Sequence, residues 1–256
     1  MKIEACAIEK WYFRGKGDTN RFFAVKQTDL TLEPGKVTVL TGRSGSGKTT
    51  LMHMLSGLLT PEGGKVLADG KDLYAQEDKA LSGFRNAHFG MIPQGADVLP
   101  VLTVMENILL VQGIYANQSR NPGADRSVGV QDRAQKLLGE MGIADLADVP
   151  AGELSGGERR RVCVARALAG TPDVIFADEP TSDLDDENMQ IVLQMLKKAA
   201  DEGAAVLIVT HDQEALDYAD VCLKMHAGVP GPAAQTEDRE APSCQEGGAG
   251  SDLQIV

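Results

Sequence analysis

Cysteine is scarce in this chain of 256 residues: Cys6, Cys163, Cys222 and Cys244 are widely scattered. None forms a C-x-x-C pair, which excludes a zinc ribbon or a thioredoxin-type site. The spacing does not read as a secreted disulfide framework, and reduced thiols in a cytoplasm are the simpler expectation. Long apolar runs are also missing. Stretches such as Ala204 to Val209 fall far short of the roughly 18 residues that span a bilayer. Any membrane role is therefore expected to come through a partner chain. The first residues lack the basic start and continuous apolar core of a signal peptide. Positive charge is in deficit, with 25 basic residues against 37 acidic ones and a net formal charge of −12. Such a chain is a poor fit for coating nucleic acid or an anionic membrane surface, although a local phosphate site is still allowed.

What is present is apolar material for a core, 43% of the residues. That excludes wholesale disorder. Short β-rich runs alternate with helical ones, which predicts an α/β fold. Two extended runs, residues 2–13 and 21–32, flank a turn-rich stretch beginning at Gly15. Residues 36–41 read as a buried strand and a helix is predicted from about Lys48 to Ser56. Residues 63–70 read as a short strand ending in a turn. From about 93 to 157 the pattern becomes helical, with candidates at 104–115 and 131–141 around an exposed loop at 117–125. This looks like a helical insertion in an α/β frame. Beyond it, 158–169 and 187–201 read as helices, and 174–177 and 204–209 as buried parallel strands. Composition shifts after Ala227. Five acids, Glu237, Asp238, Glu240, Glu246 and Asp252, face one base, Arg239, and the segment 229–256 is expected to be a disordered acidic tail.

The residues from Gly42 to Thr49 fit G-x-x-x-x-G-K-[ST] between a predicted strand and a predicted helix. That is a phosphate-binding P-loop. Its glycines let successive backbone N–H groups curl round a phosphate without Cβ clashes, and the helix start adds its positive end. Gly42, Arg43, Ser44, Gly45, Ser46, Gly47, Lys48, Thr49 and Thr50 are thus the expected cradle. Lys48 would reach the β- and γ-phosphates, and the Thr49 hydroxyl would coordinate Mg²⁺. The run Val174 to Ala177 ends in Asp178 and Glu179, at the carboxyl end of a strand where open α/β sheets bind ligands. Asp178 is expected to hold Mg²⁺, directly or through water. Glu179 is expected to polarise an attacking water as general base. Leu154, Ser155, Gly156 and Gly157 precede a helix; Ser155 can cap it and the glycines leave N–H groups open to an anion.

Leu-Ser-Gly-Gly, 24 residues before Asp178, carries a resemblance. Over about residues 1–226 the chain closely resembles the nucleotide-binding subunits of ABC transporters, with every expected motif in order. The resemblance implies a P-loop NTPase fold over residues 1–228, with a RecA-like core, an N-terminal antiparallel β subdomain and a helical subdomain inserted at about 93–157. It also implies site residues. Tyr12 matches the aromatic that stacks on adenine, with Trp11 or Phe13 as alternatives. Gln94 matches the glutamine that contacts Mg²⁺ and the attacking water. Asp185, in the loop from Ser182, matches the segment that crosses the dimer interface. His211 matches the switch histidine at the γ-phosphate. Arg43, Thr49 and Asp183 depart from the commonest residues at their places. Arg159, Arg160 and Arg161 read as a solvated face or an intersubunit contact, and His53, His88 and His226 match no motif.

In the family, Ser155, Gly156 and Gly157 of one subunit clamp the γ-phosphate held by the P-loop of another. The resemblance therefore implies two ATP molecules buried in a head-to-tail homodimer or pseudo-symmetric heterodimer, with ATP hydrolysis releasing it. It implies an integral-membrane permease as partner, no nucleic acid, and a peripheral place on the cytoplasmic face of the membrane. Val98, Leu99 and Val101 would either meet the permease or pack inside the insertion. The run Phe84 to Asn86 and the segment from Leu99 to Asn107 look most like the lipoprotein-releasing and macrolide-export subgroup. A non-transport ATPase acting by mechanotransmission, or with soluble partners, is the alternative. The absence of a guanine-reading Asn-Lys-x-Asp disfavours a GTPase.

Overall fold

The computed structural model describes residues 1–13, 21–116 and 126–233. The expected turn at 15–20, the loop at 117–125 and the tail beyond 233 lie outside the described residues. Ten strands and six α-helices run through the described chain: β1 (Ile3–Phe13), β2 (Arg21–Leu32), β3 (Val37–Gly42), α1 (Lys48–Leu55), β4 (Gly63–Ala68), β5 (Lys71–Asp72), α2 (Asp78–His88), β6 (Phe89–Ile92), α3 (Val104–Ala116), α4 (Arg126–Glu140), α5 (Gly156–Ala169), β7 (Val174–Asp178), α6 (Asp186–Asp201), β8 (Ala205–Val209), β9 (Val221–His226) and β10 (Val229–Pro232).

The strands form two sheets. One is antiparallel, in the order β2-β1-β4-β5. The other has the order β10-β9-β3-β8-β7-β6 and is parallel except at β10. The crossovers between its parallel strands carry the helices. Every residue of β7 and β8 is buried, because layers cover both faces of the sheet. Leu40, Phe176, Leu207 and Val209 point to one side, against α1 and the antiparallel sheet. Val39, Ile175, Ala177 and Ile208 point to the other, against α5, α6 and the insertion. Phe176 is fully buried, and a side chain of this kind contributes about 1.5–3 kcal/mol. The two sets alternate along each strand, so the period of 2 sorts one apolar run into two cores.

Several elements escape the sequence pattern. Only Leu81 of α2 is buried, with half-buried Phe84 packed beside it against the same core, so the apolar side of the helix is narrow. β6 has four residues, too few to show a period. β9 is mostly half-buried at the edge of the parallel set. β10 continues the sheet through residues 229–232, past the point at 229 where the acidic tail was expected to begin. Arg43, like its neighbour Ser44, is exposed in the turn leaving β3.

Candidate functional site

The parallel strands set the site, because β3, β7 and β8 all end on the same edge of the sheet. β3 delivers Gly42 and the loop that enters α1. Gly47 stands at the start of α1 with φ 105°, and α1 has no side-chain cap and no acid in its first turn. Its leading N–H groups are thus left for an anion. A Cβ at Gly47 would come 2.1 Å from the Ala24 carbonyl oxygen of β2, so only glycine fits there. The far side of the loop is braced as well, since the Gly228 N–H donates to the Ser46 carbonyl at 3.1 Å. The Ser46 hydroxyl is buried and has no protein partner.

Lys48 is buried and curls back onto its own loop. Its ammonium donates to the Gly42 carbonyl at 2.8 Å and the Arg43 carbonyl at 3.3 Å. Thr49 and Asp178, 129 residues apart in sequence, meet through a hydroxyl that donates to the carboxylate at 2.8 Å. Burial raises the Asp178 pKa above the usual carboxylate value, and the Thr49 hydrogen bond opposes that shift. These two oxygens line one cleft of about 800 Å³ together with Gln94 and His53. An alcohol, a carboxylate and an amide oxygen are hard donors. They suit a magnesium ion that takes its remaining ligands from phosphate and water. Thr50 is half-buried on α1, the next residue along.

β7 ends in a tight corner. Glu179 has φ 48°, in the left-handed region, and its N–H donates to the Val209 carbonyl of β8 at 2.7 Å. The residue is 8% exposed. Three donors converge on its Oε2: the Thr210 hydroxyl at 2.9 Å, the His211 ring Nδ1 at 3.0 Å and, more weakly, the His211 N–H at 3.4 Å. The Nδ1 contact requires that nitrogen to carry the proton. This bond, with the carboxylate charge, raises the His211 pKa above 6.5. Thr210, absent from the motif-based expectation, is fully buried and also accepts from the Asp212 N–H at 3.0 Å.

The other expected residues lie apart from this cluster. Ser155 opens α5 in a capping box: its hydroxyl accepts from the Glu158 N–H at 3.3 Å, and Glu158 accepts from the Ser155 N–H at 2.7 Å. A Cβ at Gly156 would touch nothing, and one at Gly157 would meet Leu184 at 3.4 Å. None of these three lines the cleft that holds Thr49, Asp178 and Gln94. Asp185 caps α6 by accepting from the Asn188 N–H at 2.8 Å. Tyr12 is partly exposed and packs on Phe22, with ring centroids 5.9 Å apart. Strand alternation turns Trp11 and Phe13 to the opposite face of β1, where they pack on each other at 5.2 Å and Arg21 covers Trp11.

One expectation is corrected: Arg160 is 3% exposed, so it belongs to no solvated face. His53, which matches no motif, lines the cleft with Asp178. The loop after Gln94 splits: Val98 packs against the core, while Leu99 and Val101 are exposed. Asn107, fully buried and also missed, holds that loop by accepting from the Leu99 N–H at 2.7 Å and donating to the Leu99, Leu102 and Thr103 carbonyls.

Among the described residues, no helix is long and apolar enough to cross a membrane. A family model described as ABC transporter matches residues 25–182. The lipoprotein-releasing system ATP-binding protein of Caulobacter vibrioides is 39% identical over 211 residues, covering 82% of this chain and 86% of that one. The macrolide export ATP-binding/permease protein of a Shewanella species is 37% identical over 229 residues. That match takes in 90% of this chain, which spans only 34% of the exporter's length. Among solved structures, the ATP-binding cassette MJ0796, a dimer in a post-hydrolysis state with ADP and Pi, superposes with a TM-score of 0.79. It is 28% identical, and the match covers 90% of this chain and 98% of that one. The chain belongs to the ABC transporter family, as an ATP-binding and ATP-hydrolysing subunit of the group that contains the lipoprotein-releasing and macrolide-export cassettes.

Proposed function

We propose that Glu179 is the general base of this ATPase and that Lys48, Thr49, Asp178, Gln94 and His211 complete its half of the site. The observation that carries this is the convergence of Thr210 and His211 on one Glu179 oxygen, at the strand edge where Asp178 meets Thr49. The other carboxylate oxygen is left for water. Water attacks the γ-phosphorus, its proton passes to Glu179, and the bond from the γ-phosphorus to the bridging oxygen breaks to leave ADP and phosphate. Lys48 gives up its two loop carbonyls for phosphate oxygens, and the open start of α1 supplies N–H donors. Thr49, Asp178 and Gln94 fit a magnesium ion, which when bound neutralises phosphate charge. Tyr12, exposed beside Phe22, stacks on adenine.

The second half comes from another subunit. Ser155, Gly156 and Gly157 sit at an exposed helix start away from the cleft, and a capping box holds that start in shape. In a head-to-tail dimer this start closes on the γ-phosphate across the interface, and the loop to Asp185 lies along it. ATP then joins the subunits and hydrolysis releases them, a switch driven by differential binding to two states. The work goes to a membrane permease from the cytoplasmic face, in export or extraction of a substrate from the membrane. Exposed Leu99 and Val101 are the contact offered to that permease.

The test uses full-length Glu179→Gln protein. ATP with magnesium should convert it to a stable dimer by light scattering, and this dimer should retain an integral-membrane protein from detergent extracts of the source membranes. A protein that stays monomeric with saturating ATP would refute the dimer. Dimers that retain only soluble proteins would favour the mechanotransmission or soluble-partner alternative.

A further inference from the structure

Arg160 lies in the second turn of α5 and its guanidinium is almost wholly removed from water. Nη1 donates to the Pro93 carbonyl at 2.7 Å and, at 3.4 Å, to that of Gly95. Nη2 donates to the Gln94 carbonyl at 2.6 Å and to the Ser182 hydroxyl at 2.7 Å. Ser182 passes the connection on, since its hydroxyl donates to the Glu179 carbonyl at 3.0 Å and its N–H to the same oxygen at 3.2 Å. One side chain on the Ser155 helix therefore touches the backbone at Gln94 and, one residue removed, the backbone of Glu179.

This arrangement is costly for a residue that only fills space. Among the described residues no carboxylate forms an ion pair with Arg160, and its hydrogen bonds go to carbonyl and hydroxyl oxygens. Its Nε is buried without a partner. A neutral side chain would occupy the space with less desolvation. The helix itself does not depend on it, because Val162, Cys163, Val164 and Leu168 already bury α5 in the core.

We propose that Arg160 is a positioning residue for hydrolysis. Its planar fork fixes the backbone of Gln94 and, through Ser182, of Glu179 relative to the helix that starts at Ser155. A movement of that helix start is thereby passed to the two groups that face the attacking water. The lever is geometric, since a fork spans carbonyls on two sides where a single ammonium cannot. This inference rests on the ATPase reading of Glu179 and Gln94.

The test compares wild type, Arg160→Lys and Ser182→Ala as full-length chains, by phosphate release, equilibrium ATP binding and thermal melting. Lysine keeps the charge and the stem and loses the fork. A misplacement of about 1 Å near the reacting atoms costs on the order of 10²-fold, so Arg160→Lys should lower kcat about 10–100-fold. Ser182→Ala, which cuts only the branch to Glu179, should lower it about 3–10-fold. ATP affinity should stay within about twofold in both, because the Lys48 loop is untouched. Ser182→Ala carries the test if buried lysine prevents folding. Unchanged kcat in the folded variants, or kcat and affinity falling together in step with the melting temperature, would overturn the proposal. A wild-type chain that releases no phosphate would remove the ATPase reading and this assignment with it. Active wild type matched by both variants would remove this assignment alone.

Discussion

Replacing Thr210 by valine changes almost nothing but one oxygen. The side chain is fully buried just past the end of β8 and nearly isosteric with valine, so the packing around it survives. Two hydrogen bonds do not. The Glu179 carboxylate loses its 2.9 Å hydroxyl donor, and the Asp212 N–H loses its 3.0 Å acceptor. A hydrogen bond to a charged group contributes about 1.5–3 kcal/mol, a neutral one about 0.5–1.5. The extra buried methyl returns roughly 0.8 kcal/mol. The net loss of stability is about 1–4 kcal/mol, or a fall in Tm of roughly 2–15 °C. The kinetic effect is larger. Only the His211 contacts then hold Glu179, and the His211 side chain is 72% exposed, so the carboxylate swings. We expect kcat to drop about 10–100-fold with ATP affinity unchanged, and Thr210→Ser to restore most of it. Phosphate release at saturating ATP, with binding measured separately, decides the matter. Wild-type kcat in a folded Thr210→Val protein would refute the argument that this hydroxyl orients the base.

Three further outcomes follow from the geometry. Gly47→Ala should destabilise the chain by about 3 kcal/mol or more, seen as a Tm loss of roughly 6–12 °C, because its Cβ would sit 2.1 Å from a backbone oxygen at a left-handed φ. Asp178→Asn should raise Tm at pH 7 while phosphate release falls at least about 10²-fold. Burial raises the folded pKa of Asp178, so the native state binds its proton more readily than the unfolded chain, and stability is lost as pH climbs from the unfolded value through the folded one. His211 shifts stability with pH in the same direction. Glu179 raises its folded pKa above 6.5, so the stabilisation is complete below pH 6.5 and is lost as pH rises through the raised value. The Tm gap between wild type and His211→Ala should therefore be widest near pH 6 and close toward pH 9, by about 1–2 °C at so exposed a side chain.

Much of the fold was legible because its signals are local. The P-loop pattern fixes β3 and α1 on either side of it. β7 and β8 stand out as apolar runs because both of their faces are covered. α2 did not, since its apolar side is short, resting on Leu81 and the half-buried Phe84. β10 was hidden by the Gly and Pro of Val229–Pro232, which an edge strand tolerates. Within the site, Lys48, Thr49, Asp178 and Glu179 stood out as candidates from residue type and motif, and His211 came only through the family resemblance. Thr210, Arg160 and Asn107 did not stand out, because a threonine, an arginine or an asparagine acquires its role from what it touches. Thr210 left one usable signal, its place at the carboxyl end of a parallel strand beside Glu179's partner. Arg160 left none, since its contacts lie 22 residues ahead and 65–67 residues behind in sequence.

The proposed role of Glu179 is to activate the attacking water. Phosphate release by Glu179→Gln, measured beside wild type at saturating ATP and magnesium, tests it most directly. Glutamine keeps an oxygen for the Thr210 hydroxyl but cannot take a proton from water. The rate should fall by about 10²–10⁴-fold with ATP still bound. Undiminished phosphate release in that variant would contradict that role.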